Sequence, residues 1–156
     1  MEMGILRAVV RLAAIATVTS VLYALLMAGL LSIVSDERRR SFRYRLFRTW
    51  ARSLVRICGI ELLVDGTPPR APFFLVTNHL SYVDILVLSS LVDCVYVARG
   101  DLKRWPLVGR LSRSVEIIFV DRDRRSDVNR VNRCIERSLE SGESVVLFAE
   151  GPKYFA

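Results

Sequence analysis

The chain has 156 residues, 52% of them apolar and 25% charged, which excludes wholesale disorder and collagen-like repeats. Its formal net charge is +7, and 21 of its 23 cationic residues are arginine. One histidine, His79, excludes any site that needs two imidazoles, and three cysteines at no close spacing (Cys58, Cys94, Cys134) suggest neither a disulfide framework nor a thiolate zinc site.

Taken from the N-terminus, Leu12 to Val34 is a run of 23 residues without a charge. As a helix it would extend about 34 Å, against a hydrocarbon core of roughly 30 Å. The apolar stretch of a secretory signal is shorter, about 7–15 residues, and ends at a small-residue cleavage site. Ser32-Ile33-Val34-Ser35-Asp36 is a poor one. Residues 1–35 are therefore read as an uncleaved membrane anchor. Arg7 and Arg11 precede the run, whereas Arg38, Arg39, Arg40, Arg43, Arg45 and Arg48 come after it. The positive-inside rule then places the chain beyond Asp36 on the cytoplasmic side, where thiols stay reduced.

Residues 36–58 are a different kind of element. Phe42, Leu46, Trp50 and Leu54 recur every four residues, with Phe47 and Ile57 alongside, and Arg43, Arg45, Arg48, Arg52 and Arg56 fill much of the rest. An apolar stripe with a tryptophan and a basic opposite face suits a helix lying among lipid headgroups. Each cation near anionic lipid is attracted by about 1 kcal/mol. A core helix with a basic solvated face is the plainer alternative, and a basic arm for nucleic acid fits less well directly after an anchor.

From Gly59 onward short apolar runs alternate with helical stretches. Ile60–Val64, Phe73–Thr77, Cys94–Ala98, Glu116–Val120 and Ser144–Ala149 read as strands. Val83–Leu91 and Ser126–Ser141 read as helices, the second stopping at Gly142, and Trp105-Pro106 opens a short one. Strands alternating with helices predict an α/β fold, a layered sheet with flanking helices over residues 59–156, preceded by the membrane helix and the basic amphipathic helix. Val145 to Ala149 is unbrokenly apolar and implies burial on both faces, yet only Gly151 to Ala156 lie beyond Glu150, so this domain is expected to be incomplete at its C-terminus.

Three patches come directly after strand candidates, where open α/β sheets bind ligands. In Asn78-His79-Leu80-Ser81-Tyr82-Val83-Asp84, the histidine in the loop can meet the aspartate in the first helical turn. A carboxylate on one ring nitrogen would leave the other free to accept a proton. An aspartate at a helix start also has a purely structural use as a cap. The second patch ends in Phe119-Val120-Asp121-Arg122, where an arginine fork at a strand end could clamp a phosphate. Arg124 and Arg125 read as solvated. The third is Phe148-Ala149-Glu150-Gly151, with a glycine that allows close backbone approach.

In order and spacing these patches resemble the glycerolipid acyltransferase family, typified by the bacterial 1-acylglycerol-3-phosphate acyltransferases. Asn78, His79, Ser81 and Asp84 match its NHxSxxD block, Phe119-Val120-Asp121-Arg122 its second block, and Phe148, Glu150 and Gly151 its Phe-Pro-Glu-Gly-Thr block. Leu102 to Gly109 is similar to the segment between the first two. Ala149 stands where the family commonly has proline and Pro152 where it usually has threonine; its fourth block, a proline-containing strand, does not occur before Ala156. The resemblance implies transfer of a fatty acyl group from acyl-CoA or acyl-ACP to the free hydroxyl of a lysophospholipid, 1-acylglycerol-3-phosphate in the first instance. His79 would be the catalytic base and Asp84 its partner, with Arg122, Glu150 and Gly151 binding the acceptor. It implies no metal or redox cofactor, membrane lipids rather than nucleic acid as partners, and a membrane location with the catalytic domain on the cytoplasmic side. Two alternatives stay open: a phosphate-free acceptor such as a lyso-aminolipid, and a non-catalytic lipid-binding remnant.

Overall fold

A computed structural model describes residues 2–33, 35–100, 117–121 and 125–148. In chain order the elements are α1 (Glu2–Ser32), α2 (Asp36–Cys58), β1 (Phe74–Thr77), α3 (Tyr82–Leu91), β2 (Val95–Arg99), β3 (Ile118–Val120), α4 (Arg125–Glu140) and β4 (Val145–Phe148). They fall into two compact units, Met1–Gly66 with Ile85–Val92, and Thr67–Asp84 with Asp93–Ala156. The expected short helix at Trp105-Pro106 lies outside the described residues.

The first unit is built on a helical hairpin. α1 is long and apolar enough, by length and composition, to cross a membrane over Gly4–Ser32, and little of it is buried among the described residues. Two of its hydroxyls bond within the helix, Thr17 donating to the Ala13 carbonyl and Ser32 to that of Ala28. α2 runs back along it. Near the turn Gly29 faces Phe42 so closely that a Cβ at position 29 would strike the ring. Midway, the Trp50 indole donates to the Thr19 hydroxyl at 3.1 Å, and at the far end the Arg11 guanidinium reaches Gly59. Gly59 ends α2 in the left-handed conformation (φ 72°), its N–H bonded back to the Arg56 carbonyl.

The buried face of α2 differs from the expected stripe. Ala51, Leu54 and Val55 are buried, but so is Arg43, which the sequence pattern put on the basic face. Packing against α1 sets this face, and the arginine stem can line an apolar contact while its guanidinium lies over the Tyr44 ring, 5.4 Å from its centroid. In the same unit Arg52 donates to the carbonyl of Ser90 at 2.9 Å.

The second unit is a four-stranded, all-parallel sheet in the order β1-β4-β2-β3. β4, the last of the described strands in sequence, occupies an interior position, which accounts for its unbroken apolar run: Val145 and Val146 are fully buried. Val97, Val131 and Val145 form the core, with Ile118, Val120, Ile135, Leu139 and Leu147 packed around it, so α4 covers the sheet with Val131, Ile135 and Leu139, while Val128, at the same helical spacing, is left half exposed. Ser144 fixes the strand starts: its hydroxyl accepts from Phe73 N–H, and its carbonyl from Val95 N–H at 2.8 Å.

Among the described residues β3 is an edge strand, and its outward groups are capped by side chains. Val120 faces β2 opposite Arg99, so residues 119 and 121 turn their polar groups away from the sheet. The Asp127 carboxylate accepts the Asp121 N–H at 2.7 Å, the Arg130 guanidinium donates to the Phe119 carbonyl, and the two side chains pair with each other. A carboxylate and a guanidinium thus stand where another strand's backbone would bond.

Ile60–Val64, expected as a strand, is not one. Its alternation is genuine, but it pairs with no strand among the described residues, and Leu63 is fully exposed. Alternation specifies a strand only where a partner's backbone completes the ladder. The other strands and the two longer helices predicted beyond Gly59 form within a residue or two of the expected bounds, with Glu116 and Ala149 outside the described residues.

Candidate active site

β1 and β4 are neighbours in parallel register, Thr77 opposite Phe148, so their carboxyl ends open at the same edge of the sheet. His79 lies two residues beyond the end of β1, in the loop that leads to α3.

Ser81 caps α3: its hydroxyl accepts the Val83 N–H at 3.0 Å. Asp84, three residues on, reaches back to form the other half of a capping box. A single carboxylate oxygen, Oδ2, accepts the Ser81 N–H at 2.9 Å, the Leu80 N–H at 2.7 Å, and Nδ1 of His79 at 3.2 Å. Burial works against the Asp84 charge, but the backbone N–H groups of Ser81 and Leu80 and the contact with His79 outweigh it, and the carboxyl titrates below its usual value. An ionised Asp84 can only accept, so Nδ1 carries a proton, and whenever the ring is neutral the lone pair is on Nε2. The His79 side chain is 12% exposed, so the ring is enclosed but reachable.

Phe148, from the end of β4, stacks on the imidazole with centroids 4.2 Å apart and planes at 29°. The Tyr96 ring of β2 lies 6.0 Å from that of Phe148, with the two planes nearly parallel at 9°. The Tyr82 ring meets His79 edge-on at 6.5 Å. Leu80, Tyr82 and Val83, which flank the dyad, are exposed apolar side chains.

Of the residues singled out in the sequence, His79 and Asp84 are brought into contact, while Arg122, Glu150 and Gly151 lie outside the described residues. The backbone just before Arg122 is placed, held by Asp127 and Arg130 at Asp121 and Phe119. Sequence reasoning gave no site role to Phe148 or Tyr96. Phe148 was visible only as part of a motif, since its contact with His79 arises from β4 lying beside β1, 71 residues away along the chain.

Residues 59–154 match the family described as Acyltransferase. The chain belongs to that family. It is 42% identical over 105 residues to a lyso-ornithine lipid O-acyltransferase of Rhizobium meliloti (strain 1021), which covers 67% of this chain and 36% of that protein. It is 28% identical over 101 residues to the 1-acyl-sn-glycerol-3-phosphate acyltransferase of Neisseria meningitidis serogroup B, covering 64% of this chain and 40% of that protein. Among solved structures it resembles the 1-acyl-sn-glycerophosphate (LPA) acyltransferase PlsC from Thermotoga maritima, with a TM-score of 0.67 and 19% identity over 93% of this chain and 62% of that one. At that identity the likeness concerns the fold: an Acyltransferase-family sheet with flanking helices, here preceded by an apolar N-terminal helix.

Proposed function

We propose that the protein is an O-acyltransferase that moves a fatty acyl group from a thioester, acyl-CoA or acyl-ACP, to the free hydroxyl of a lysolipid. The observation that carries this reading is the single hydrogen-bonded unit of Nδ1 of His79, Oδ2 of Asp84 and two backbone N–H groups. Nε2 takes the proton of the acceptor hydroxyl as its oxygen attacks the thioester carbonyl. The new C–O bond forms, the C–S bond breaks, and the imidazolium returns the proton to the departing thiolate. Asp84 fixes the tautomer and stabilises the transient cation. The attack is direct: no Gly-x-Ser-x-Gly elbow occurs in the sequence, and no acyl-enzyme is invoked. Arg122, Glu150 and Gly151 bind the polar end of the acceptor. The apolar α1 and basic α2 hold the chain at the cytoplasmic leaflet, where acceptor and product both reside.

Two acceptors are compatible with this chemistry. The higher identity to the lyso-ornithine lipid enzyme, 42% against 28%, supports a phosphate-free lyso-aminolipid over 1-acylglycerol-3-phosphate. Thiol release from acyl-CoA and acyl-ACP, measured with each lysolipid in turn, tests both. His79→Ala is expected to abolish transfer, a loss of about 10²–10⁴-fold or more, and to leave membrane association unchanged. Near-normal turnover by this variant would remove His79 from the mechanism. Lipid binding with no donor-dependent thiol release by the unaltered chain would favour a non-catalytic lipid-binding protein.

A further inference from the structure

A histidine tethered by one nitrogen is only half positioned. The contact between Nδ1 and Asp84 fixes where that edge of the ring sits, but it leaves the plane free to tilt about the hydrogen bond, and with it the direction of the Nε2 lone pair. Proton abstraction needs that direction held toward the attacking hydroxyl. We infer that Phe148 supplies the missing constraint. It is a positioning residue for the base, setting the plane of the His79 imidazole by stacking, and its own ring is stacked in turn with that of Tyr96.

Three observations converge on this role. The rings of His79 and Phe148 lie 4.2 Å apart at 29°, close enough that tilting toward Phe148 is blocked by contact. Phe148 is itself buried, 8% exposed, and stacks with the Tyr96 ring, which is 5% exposed. These two side chains belong to adjacent hydrogen-bonded strands, β4 and β2, whereas the histidine hangs from the loop after β1, so the sheet supplies a rigid platform to a more adjustable group. The aromatic ring also covers one face of the base without offering a competing hydrogen bond to Nε2.

The inference rests on His79 acting as the base, and the test separates the two. The sequence contains one histidine, so the imidazole resonances of the full chain in detergent micelles need no assignment. The unaltered protein is expected to show ring-carbon protons shifted upfield by the Phe148 ring current and nitrogen shifts of a single tautomer, protonated at Nδ1. Resonances at their free-histidine positions would overturn the inference without any substitution. In transfer assays Phe148→Leu should lower kcat by about 10–100-fold with KM for donor and acceptor changed less than about twofold, and Phe148→Tyr should restore most of kcat. If Phe148→Leu keeps its kcat while His79→Ala is inactive, the stack is packing and only the dyad survives. If His79→Ala stays active, both fall.

Discussion

Asp84 carries two loads on one oxygen. It closes the capping box of α3 and bonds Nδ1 of His79, so the cap is in place and the same oxygen is where the proposed mechanism needs it. Substitutions separate them. Asp84→Asn keeps an acceptor for the Ser81 and Leu80 N–H groups but removes the charge opposite the imidazole; transfer should fall by about 10²–10⁴-fold with only a small change in unfolding midpoint. Asp84→Ala should lose activity and, with the cap gone, about 1 kcal/mol of stability, read from urea unfolding in micelles. The depressed carboxyl also fixes a pH dependence. Its folded value lies below the unfolded 3.8, so the stabilisation is fully present above that pH and is lost as pH falls through the lower folded value. Unfolding midpoints of the native chain should therefore drop more steeply on acidification than those of Asp84→Asn.

At the level of elements, the α1–α2 pair limits how the chain meets a bilayer. Contacts at Gly29 with Phe42, Thr19 with Trp50 and Arg11 with Gly59 make the hairpin antiparallel along nearly its whole length. If α1 crossed the membrane, α2 would cross beside it and carry Arg43, Arg45, Arg48, Arg52 and Arg56 through hydrocarbon. Each arginine costs about 2.5–3.5 kcal/mol at mid-depth. The hairpin is thus expected to lie within one leaflet, its apolar side down and its exposed arginines, such as Arg45, Arg52 and Arg56, among headgroups. In a background with Cys58, Cys94 and Cys134 replaced by serine, Gly4→Cys and Ser35→Cys should both react with an impermeant maleimide from the same side of sealed vesicles. Labelling from opposite sides would mean that the hairpin crosses. At the far sheet edge, Asp127→Ala should release both groups it helps to hold on β3. A loss of about 1–2 kcal/mol is expected, with faster hydrogen exchange at the Asp121 amide.

For the whole molecule, stability of the sheet unit centres on β4. Val145 and Val146 are fully buried in the strand that joins the two halves of the sheet. Val145→Ala removes two methyl groups from the core and should cost about 2 kcal/mol, while Val146→Asp should prevent folding of the unit, since a carboxylate there would have no solvent. The same strand ends at Phe148, so core and site are continuous, and losses of stability in β4 should be accompanied by losses of activity. The chain spans 36% and 40% of the lyso-ornithine lipid and 1-acyl-sn-glycerol-3-phosphate acyltransferases it matches, and its site is described on the β1 and β4 side of the sheet.

Local chemistry was legible in the sequence because it depends on neighbours a few residues apart. The apolar length of α1, the periodicity of α4 and the glycine that stops it could be read directly, as could the spacing that lets His79 meet Asp84 across a helix start. Ile60–Val64 marks where that reading stops, since alternation names a face but not a partner. Strand order was equally out of reach. An apolar run at Val145–Ala149 indicates a buried strand, yet only the assembled sheet puts it between β1 and β2. That placement brings Phe148 over His79, and helix pairing likewise turns Arg43 inward. Backbone hydrogen bonds and ring contacts between distant segments are decided by the shared burial of apolar surface, a property of the assembled chain that no window of adjacent residues contains.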